Sequence, residues 1–273
     1  MREKLRSFWA GRACNVLFSL LAVLVMWAAW LVAYAAVGND YVLPSFWATL
    51  RGLGELLTEG FFWRSFALTL LRAAEGWLLA YACAVAGVAL GALSGKCRSF
   101  LAPFVAVLRT VPTLAVTLML VLWFSKHTVP VIVTFLMLFP VSYAQLSAAY
   151  RAIDPKLLDM AKVYRLSRFD RIFRIAVPQM LPSLFAQAGP NFSLSVKVAV
   201  SAEILAHTYN ALGWMMQDAG SYPDPVSVAR MFALTLVVLV TGGLVEFALG
   251  QLTRITDVWK TGRGHKKPRE ARR

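Results

Sequence analysis

The sequence predicts an all-α, polytopic membrane protein with about six transmembrane helices and one further helix at a membrane surface. Three observations carry that prediction. Mean hydropathy is +0.61 and 59% of the 273 residues are hydrophobic, a composition foreign to soluble domains. Apolar runs recur at about 16–37, 66–93, 101–125, 129–150, 181–206 and 228–250, and about 20 such residues suffice for a helix to cross the hydrocarbon core. Finally, the net charge of +14 is concentrated in alternate connections. Arg2, Lys4, Arg6 and Arg12 precede the first run, and Lys96 and Arg98 follow the second. Arg151–Arg174 follows the fourth, and the tail holds Arg254, Lys260, Arg263, Lys266, Lys267, Arg269, Arg272 and Arg273. Residues 207–227 hold Asp218 and Asp224 and no Lys or Arg. The positive-inside rule therefore places both termini in the cytoplasm. The basic excess reads as topology, and nucleic acid is not expected as a partner.

The chain divides into a cytoplasmic N-terminus (1–15), a membrane domain (16–250) and a basic cytoplasmic tail (251–273), of which 262–273 reads as disordered. In the first run, Ala33-Tyr34-Ala35 imitates a signal-peptide cleavage site. The run is too long for a signal-peptide core, so an uncleaved first helix is expected. Gly38–Tyr41 and Leu43-Pro44-Ser45 break the chain. Residues 46–60, with Trp47, Leu50, Leu53 and Leu57, then read as an amphipathic stretch suited to the outer membrane interface. In the second span Ala80, Ala84, Gly87 and Gly91 recur at near-fourfold spacing, a face that lets helix backbones approach. Arg72 and Glu75, three residues apart there, are expected to pair locally. The third span carries Pro103, Arg109 and Pro112, and a proline inside a span frees a carbonyl and bends the helix. Arg109 reads as gate or as scaffold.

The fifth span carries a charge at its centre. Lys197 would cost about 2.5–3.5 kcal/mol there unpaired. Ser193, Lys197 and Ser201 are four residues apart and share one helical stripe, with Asn191 and Ser195 beside it. Either this face lines the path of an anionic substrate, or Lys197 pairs with an acid from another helix. Glu203 and His207 follow toward the outer end, with the same two readings.

Catalytic chemistry is not found. Gly95-Lys96-Cys97 lacks the upstream glycine and the hydroxyl of a phosphate-binding loop. His127, His207 and His265 are scattered without companion ligands, and Cys14, Cys83 and Cys97 have no metal or redox spacing. No cofactor, metal or enzymatic activity is expected. ATP hydrolysis, if it drives this protein, belongs to another chain.

Between the fourth and fifth spans lies a basic amphipathic segment. Arg151, Lys156, Lys162, Arg165, Arg168, Arg171 and Arg174 meet Asp154, Asp159 and Asp170, while Leu158, Ala161, Phe169, Ile172, Phe173 and Ala176 recur at helical spacing. The segment resembles the Glu-Ala-Ala loop of ABC-transporter permeases. With Asp159-Met160-Ala161 on the triplet, Ile175, Val177 and Pro178 fall at the family's later positions, while Arg165 stands where the family has a turn-forming Gly. Arg109, Pro112 and Ala115, followed by Leu122-Trp123-Phe124, are similar to the nitrate/sulfonate/taurine importer branch. So are Gly76-Trp77, and Ala202-Glu203 followed by Leu212-Gly213-Trp214.

The resemblance implies the type I ABC importer permease fold in a bacterial inner membrane. It implies a homodimer forming the path for a sulfonate-, nitrate- or taurine-like solute. Two cytoplasmic ABC ATPase subunits, an extracytoplasmic solute-binding protein and membrane lipid are the expected partners. The coupling loop is expected at 151–178, with a helix over 155–172. Asp159, Met160, Ala161, Tyr164, Arg165, Leu166, Ile175 and Pro178 would engage the ATPase, with Leu158, Ala161 and Tyr164 as the apolar seat and Lys162, Arg165 and Arg168 as the rim. Arg109, Pro112, Ser193, Lys197, Ser201 and Glu203 would serve the translocation path. A permease for a pyrimidine vitamin precursor is the alternative. A self-sufficient secondary transporter would predict inverted repeats, which the sequence does not display.

Overall fold

A computed structural model describes residues 2–222 and 224–261, so the 262–273 tail lies outside the described residues. In chain order the helices are α1 (Arg2–Val37), α2 (Phe46–Thr58), α3 (Gly60–Leu93), α4 (Gly95–Thr110), α5 (Thr113–Trp123) and α6 (Val129–Arg151). Then come α7 (Pro155–Val163), α8 (Arg168–Arg171), a π-helical turn (Ile172–Ala176), α9 (Val177–Ala206), α10 (Leu212–Ser221) and α11 (Pro225–Thr261). Among the described residues there is no strand.

Among the described residues four segments are long and apolar enough to cross a membrane: Leu20–Val37, Gly60–Leu93, Val129–Arg151 and Pro225–Gln251. The two remaining expected spans differ from expectation. The third, 101–125, is broken: α4 and α5 meet at 97° across Val111 and Pro112, and they make a fifth crossing only if the bent pair is taken together. Pro112 donates no N–H, and it stands in extended backbone as the N-cap of α5, so the helical ladder stops before it. The fifth, α9, has 30 residues, but Gln179, Gln187, Asn191, Lys197 and Glu203 dilute its apolar character and it is not among these segments.

The chain divides into two compact units, Met1–Glu59 with Met216–Thr235 and Gly60–Met215 with Leu236–Arg273. In the smaller unit Ser45 caps α2, its Oγ accepting the Ala48 N–H at 3.1 Å. The Trp30 indole donates to the Pro44 carbonyl at 3.2 Å and stands edge-on to Phe46 and Phe232. Glu59 and Arg230 form an ion pair. Asp224 Oδ1 caps the start of α11 by accepting the N–H groups of Val226 and Ser227, and hydrogen bonding to Ser227 holds its carboxyl below the ordinary range.

The larger unit is organised around α3, α6 and α9. From Ala73 to Gly87 the buried face of α3 is made of small residues (Ala73, Gly76, Ala80, Ala84 and Gly87), one per turn. A Cβ on Gly76 would lie 2.6 Å from the Thr134 Cβ of α6, so only glycine permits this approach. Tyr143 and Leu146 of α6 join Ala84, Val88, Ile153, Ala176 and Met180 in one apolar cluster. Leu120, Val129, Val133, Ala202 and Ala206 form a second. Cys83 is exposed and Cys97 is not buried, so neither fills the core as a small apolar side chain.

Candidate functional site

The expected surface helix over 155–172 is two helices with a turn between them. Asp154 starts α7, its Oδ1 accepting the Lys156 N–H at 2.9 Å with Pro155 as the first helical residue. Arg165 ends it in the left-handed region (φ 51°), and the Leu166 N–H reaches back to the Ala161 carbonyl at 3.0 Å. This is the hydrogen bond of a helix C-terminus that usually carries glycine. Ser167 then caps α8: its Oγ accepts the Asp170 N–H at 3.0 Å and donates to Asp170 Oδ2 at 2.7 Å. The Ser167-x-x-Asp170 capping box is legible in the sequence and was the missed signal for this break.

The seat of this segment also differs from expectation. Ala161 is fully buried within the chain, whereas Met160, Val163 and Tyr164 are exposed, Val163 at 80%. Phe169 and Phe173 are likewise exposed. Arg165 and Leu166 form the turn, while the side chains of Leu158, Lys162 and Arg168 lie outside the described residues. Ile175 is buried and Pro178 exposed at the head of α9. Pro178 has no N–H to return to Arg174, and the widened turn before it is closed by the Val177 N–H on the Ile172 carbonyl.

On α9 the expected polar stripe splits. Lys197 and Ser201 are exposed, with the Ser201 hydroxyl donating to the Lys197 carbonyl at 3.0 Å. Ser193 is buried and turned toward α11, where a Cβ on Gly242 would come within 2.7 Å of its Oγ. Asn191 is held by Gln145 of α6 through a reciprocal amide pair at 2.7 and 3.4 Å. Arg109 donates to the Pro140 carbonyl of α6 at 3.3 Å, a scaffold contact from α4, and Pro112 marks the break already described.

Glu203 is not on a surface. Its carboxylate is fully buried and receives Arg72 Nη1 at 2.8 Å, the Thr69 hydroxyl at 2.9 Å and the Gly213 N–H at 3.3 Å. Arg72 therefore pairs across helices and not with Glu75, because α9 brings a carboxylate into a dry contact while Glu75 stays exposed. Thr69 in turn accepts the Leu212 N–H at 3.0 Å, and Arg72 reaches the Asn210 carbonyl and His127 Nδ1. Gly213 is required here, since a Cβ would lie 2.6 Å from the Glu203 Cβ. Beside this knot an open cleft of about 580 Å³ is lined by Arg64, Arg72, Glu75, His127 and Asn210. The sequence contained every member of the knot, but the separations of more than 130 residues between Thr69 or Arg72 on α3 and Glu203, Asn210 or Leu212 carried no pairing signal.

Among the described residues no cluster of His, Cys, Asp or Glu is arranged to hold a metal.

Residues 83–254 match the family described as "Binding-protein-dependent transport system inner membrane component". The chain is 28% identical over 247 residues to the aliphatic sulfonates transport permease protein SsuC of Bacillus subtilis, covering 88% of this chain and 87% of that protein. It is 27% identical over 252 residues to the taurine transport system permease protein TauC of Escherichia coli, with 88% of each covered. The riboflavin transport system permease protein RibX of Chloroflexus aurantiacus is 29% identical over 239 residues, covering 84% of this chain and 86% of that one. Among solved structures, a bacterial alginate ABC transporter superposes with a TM-score of 0.63 at 14% identity, covering 88% of this chain and 95% of that one. The MetNI methionine ABC transporter gives 0.59 at 14% identity, covering 77% and 96%. These two likenesses carry the fold.

Proposed function

We propose, for a chain that belongs to the family of binding-protein-dependent inner membrane transport components, that two copies form the path of an ATP-driven importer for a small anionic or zwitterionic solute. The chain is an ABC importer permease and not an enzyme. The solute class follows the sulfonate, taurine and nitrate permeases among its relatives. Lys197 and Ser201, exposed on a helix too polar to face lipid alone, suit a watered anion path. A riboflavin-like solute is the second reading, favoured by the RibX relative at comparable identity.

The observation that carries the coupling role is the exposed apolar face of α7. Met160, Val163 and Tyr164 stand out of a strongly basic segment that the Lys/Arg distribution assigns to the cytoplasm. Apolar side chains held out of a charged surface form the seat for another protein. Two ATPase subunits would each receive one such seat. Their closure on ATP would shift α7, α8 and the π turn together, biasing α9 between its two arrangements while a binding protein delivers solute at the opposite face.

Val163→Glu tests this reading, because the side chain is already exposed and the charge harms only what docks there. The variant should insert and dimerise normally while losing ATPase co-purification and ATP-dependent uptake. Retention of both would remove α7 as the coupling element.

A further inference from the structure

One end of the α3–α6 pair carries a cationic mouth that opens on an apolar groove. Arg98 of α4 and Arg151 of the last turn of α6 line a small cleft of about 30 Å³ with Ser147 and Tyr150. Beside it a groove of about 90 Å³, lined by apolar side chains and Tyr150, runs between α3, α6 and the head of α9. Val88, Ala92 and Tyr150 are walls of both, so cationic and apolar surfaces are continuous. Arg98 lies close against α3, its Cβ 3.4 Å from where a Gly91 Cβ would stand. Among the described residues neither arginine has an ion pair or a side-chain hydrogen bond, so both guanidinium groups keep their donors for another molecule.

We propose that this is a binding site for one anionic phospholipid, its phosphate on Arg98 and Arg151 and an acyl chain along the apolar groove. Both arginines follow directly on membrane-spanning length, Arg151 ending α6 and Arg98 standing just beyond α3, so they lie at headgroup level. A planar guanidinium is matched to phosphate oxygens by geometry as well as charge, and the Ser147 and Tyr150 hydroxyls add donors. Basic pockets between spans at this depth recognise anionic headgroups, and a zwitterionic lipid would bring its own cation toward two arginines. The far wall of the groove is Ile172, Ala176 and Val177, the π turn and the start of α9. The seated chain would therefore brace the junction between α7–α8 and α9. The site requires only that the chain be a membrane component; it is independent of the solute and of the ATPase contact.

The test uses the full-length permease in detergent, followed by native mass spectrometry and thermal unfolding. Phosphatidylglycerol, phosphatidylcholine of the same chains and inorganic phosphate are added separately. One phosphatidylglycerol should be retained per chain, and it alone should raise the melting temperature. Arg98→Gln with Arg151→Gln should lower that retention by about tenfold or more, while Lys96→Gln, an exposed cation outside the cleft, should leave it unchanged. Ala92→Phe, which fills the groove and keeps both cations, should also abolish retention, giving a second route if the double variant does not fold. Equal stabilisation by phosphatidylcholine would overturn the headgroup assignment. Stabilisation by inorganic phosphate alone would overturn the lipid, and undiminished retention in both variants would overturn the site.

Discussion

The Arg72–Glu203 knot and the α7–α8 segment belong to the same unit and treat their polar and apolar groups in opposite ways. In the knot, one carboxylate is met by a guanidinium, a hydroxyl and a backbone N–H, and nothing is left over. Around α7, apolar side chains stand exposed, a non-glycine residue holds a left-handed turn, and two short helices replace one long one. A region whose interactions close on themselves has the character of scaffold. A region with unmatched apolar surface has the character of the docking face proposed for it. The difference separates two roles that charge alone does not distinguish, since both regions are rich in it.

The largest expected effect breaks the closed side. Arg72→Met should leave Glu203 charged and dry, costing about 3–5 kcal/mol, seen as lost folded yield and a lower melting temperature in detergent. Arg72→Met with Glu203→Met should recover part of that loss, because no ion is then stranded. A double variant as damaged as the single one would mean that the knot does more than neutralise itself. Next is Ala161→Asp, which separates inner from outer faces of α7. Ala161 is enclosed, so the buried charge should cost several kcal/mol and reduce the permease itself, unlike the surface change Val163→Glu. Equal folded yields for the two variants would erase the distinction between the faces. Gly213→Ala should cost about 1–3 kcal/mol by pushing Glu203 away from its partners, measured as a melting shift with α7-dependent ATPase binding preserved. The smallest effect has the opposite sign: Arg165→Gly should stabilise by about 1 kcal/mol, relieving a left-handed non-glycine residue. A loss of ATPase binding in that variant would assign the Arg165 guanidinium to the interface as well.

The fold is legible in the sequence where the controlling physics is local or periodic. The apolar runs gave α1, α3, α6 and α11, and the small-residue spacing gave the buried face of α3. The turn after α7 at Arg165 was not anticipated, since a single helix over 155–172 is what the sequence suggests, although the family glycine at this position marks where such a turn forms. What escaped was set by long-range partners. Glu75 lies three residues from Arg72 and Glu203 lies 131 away, yet packing chose the distant acid. Likewise, Ala161 has helical spacing suited to a docking face, and only the placement of α7 against its own unit shows which side is inward. The bend at Pro112 was readable as a perturbation, but its 97° size was not, because a proline sets only where the ladder fails.

The π turn at Ile172–Ala176 makes the phase of this connection a matter of residue count. Helical direction advances roughly 100° per residue, so one residue more or fewer in that turn changes the azimuth at which the preceding segment leaves α9 by about that angle. A substitution in Ile172–Ala176 alters packing, whereas a deletion swings the whole outward face of α7 to a different bearing. The connection is thus indexed like a gear tooth. In the proposed coupling role it would transmit one direction at one length only, and chains that keep every contact residue yet differ by one position there would present the same surface on a different bearing.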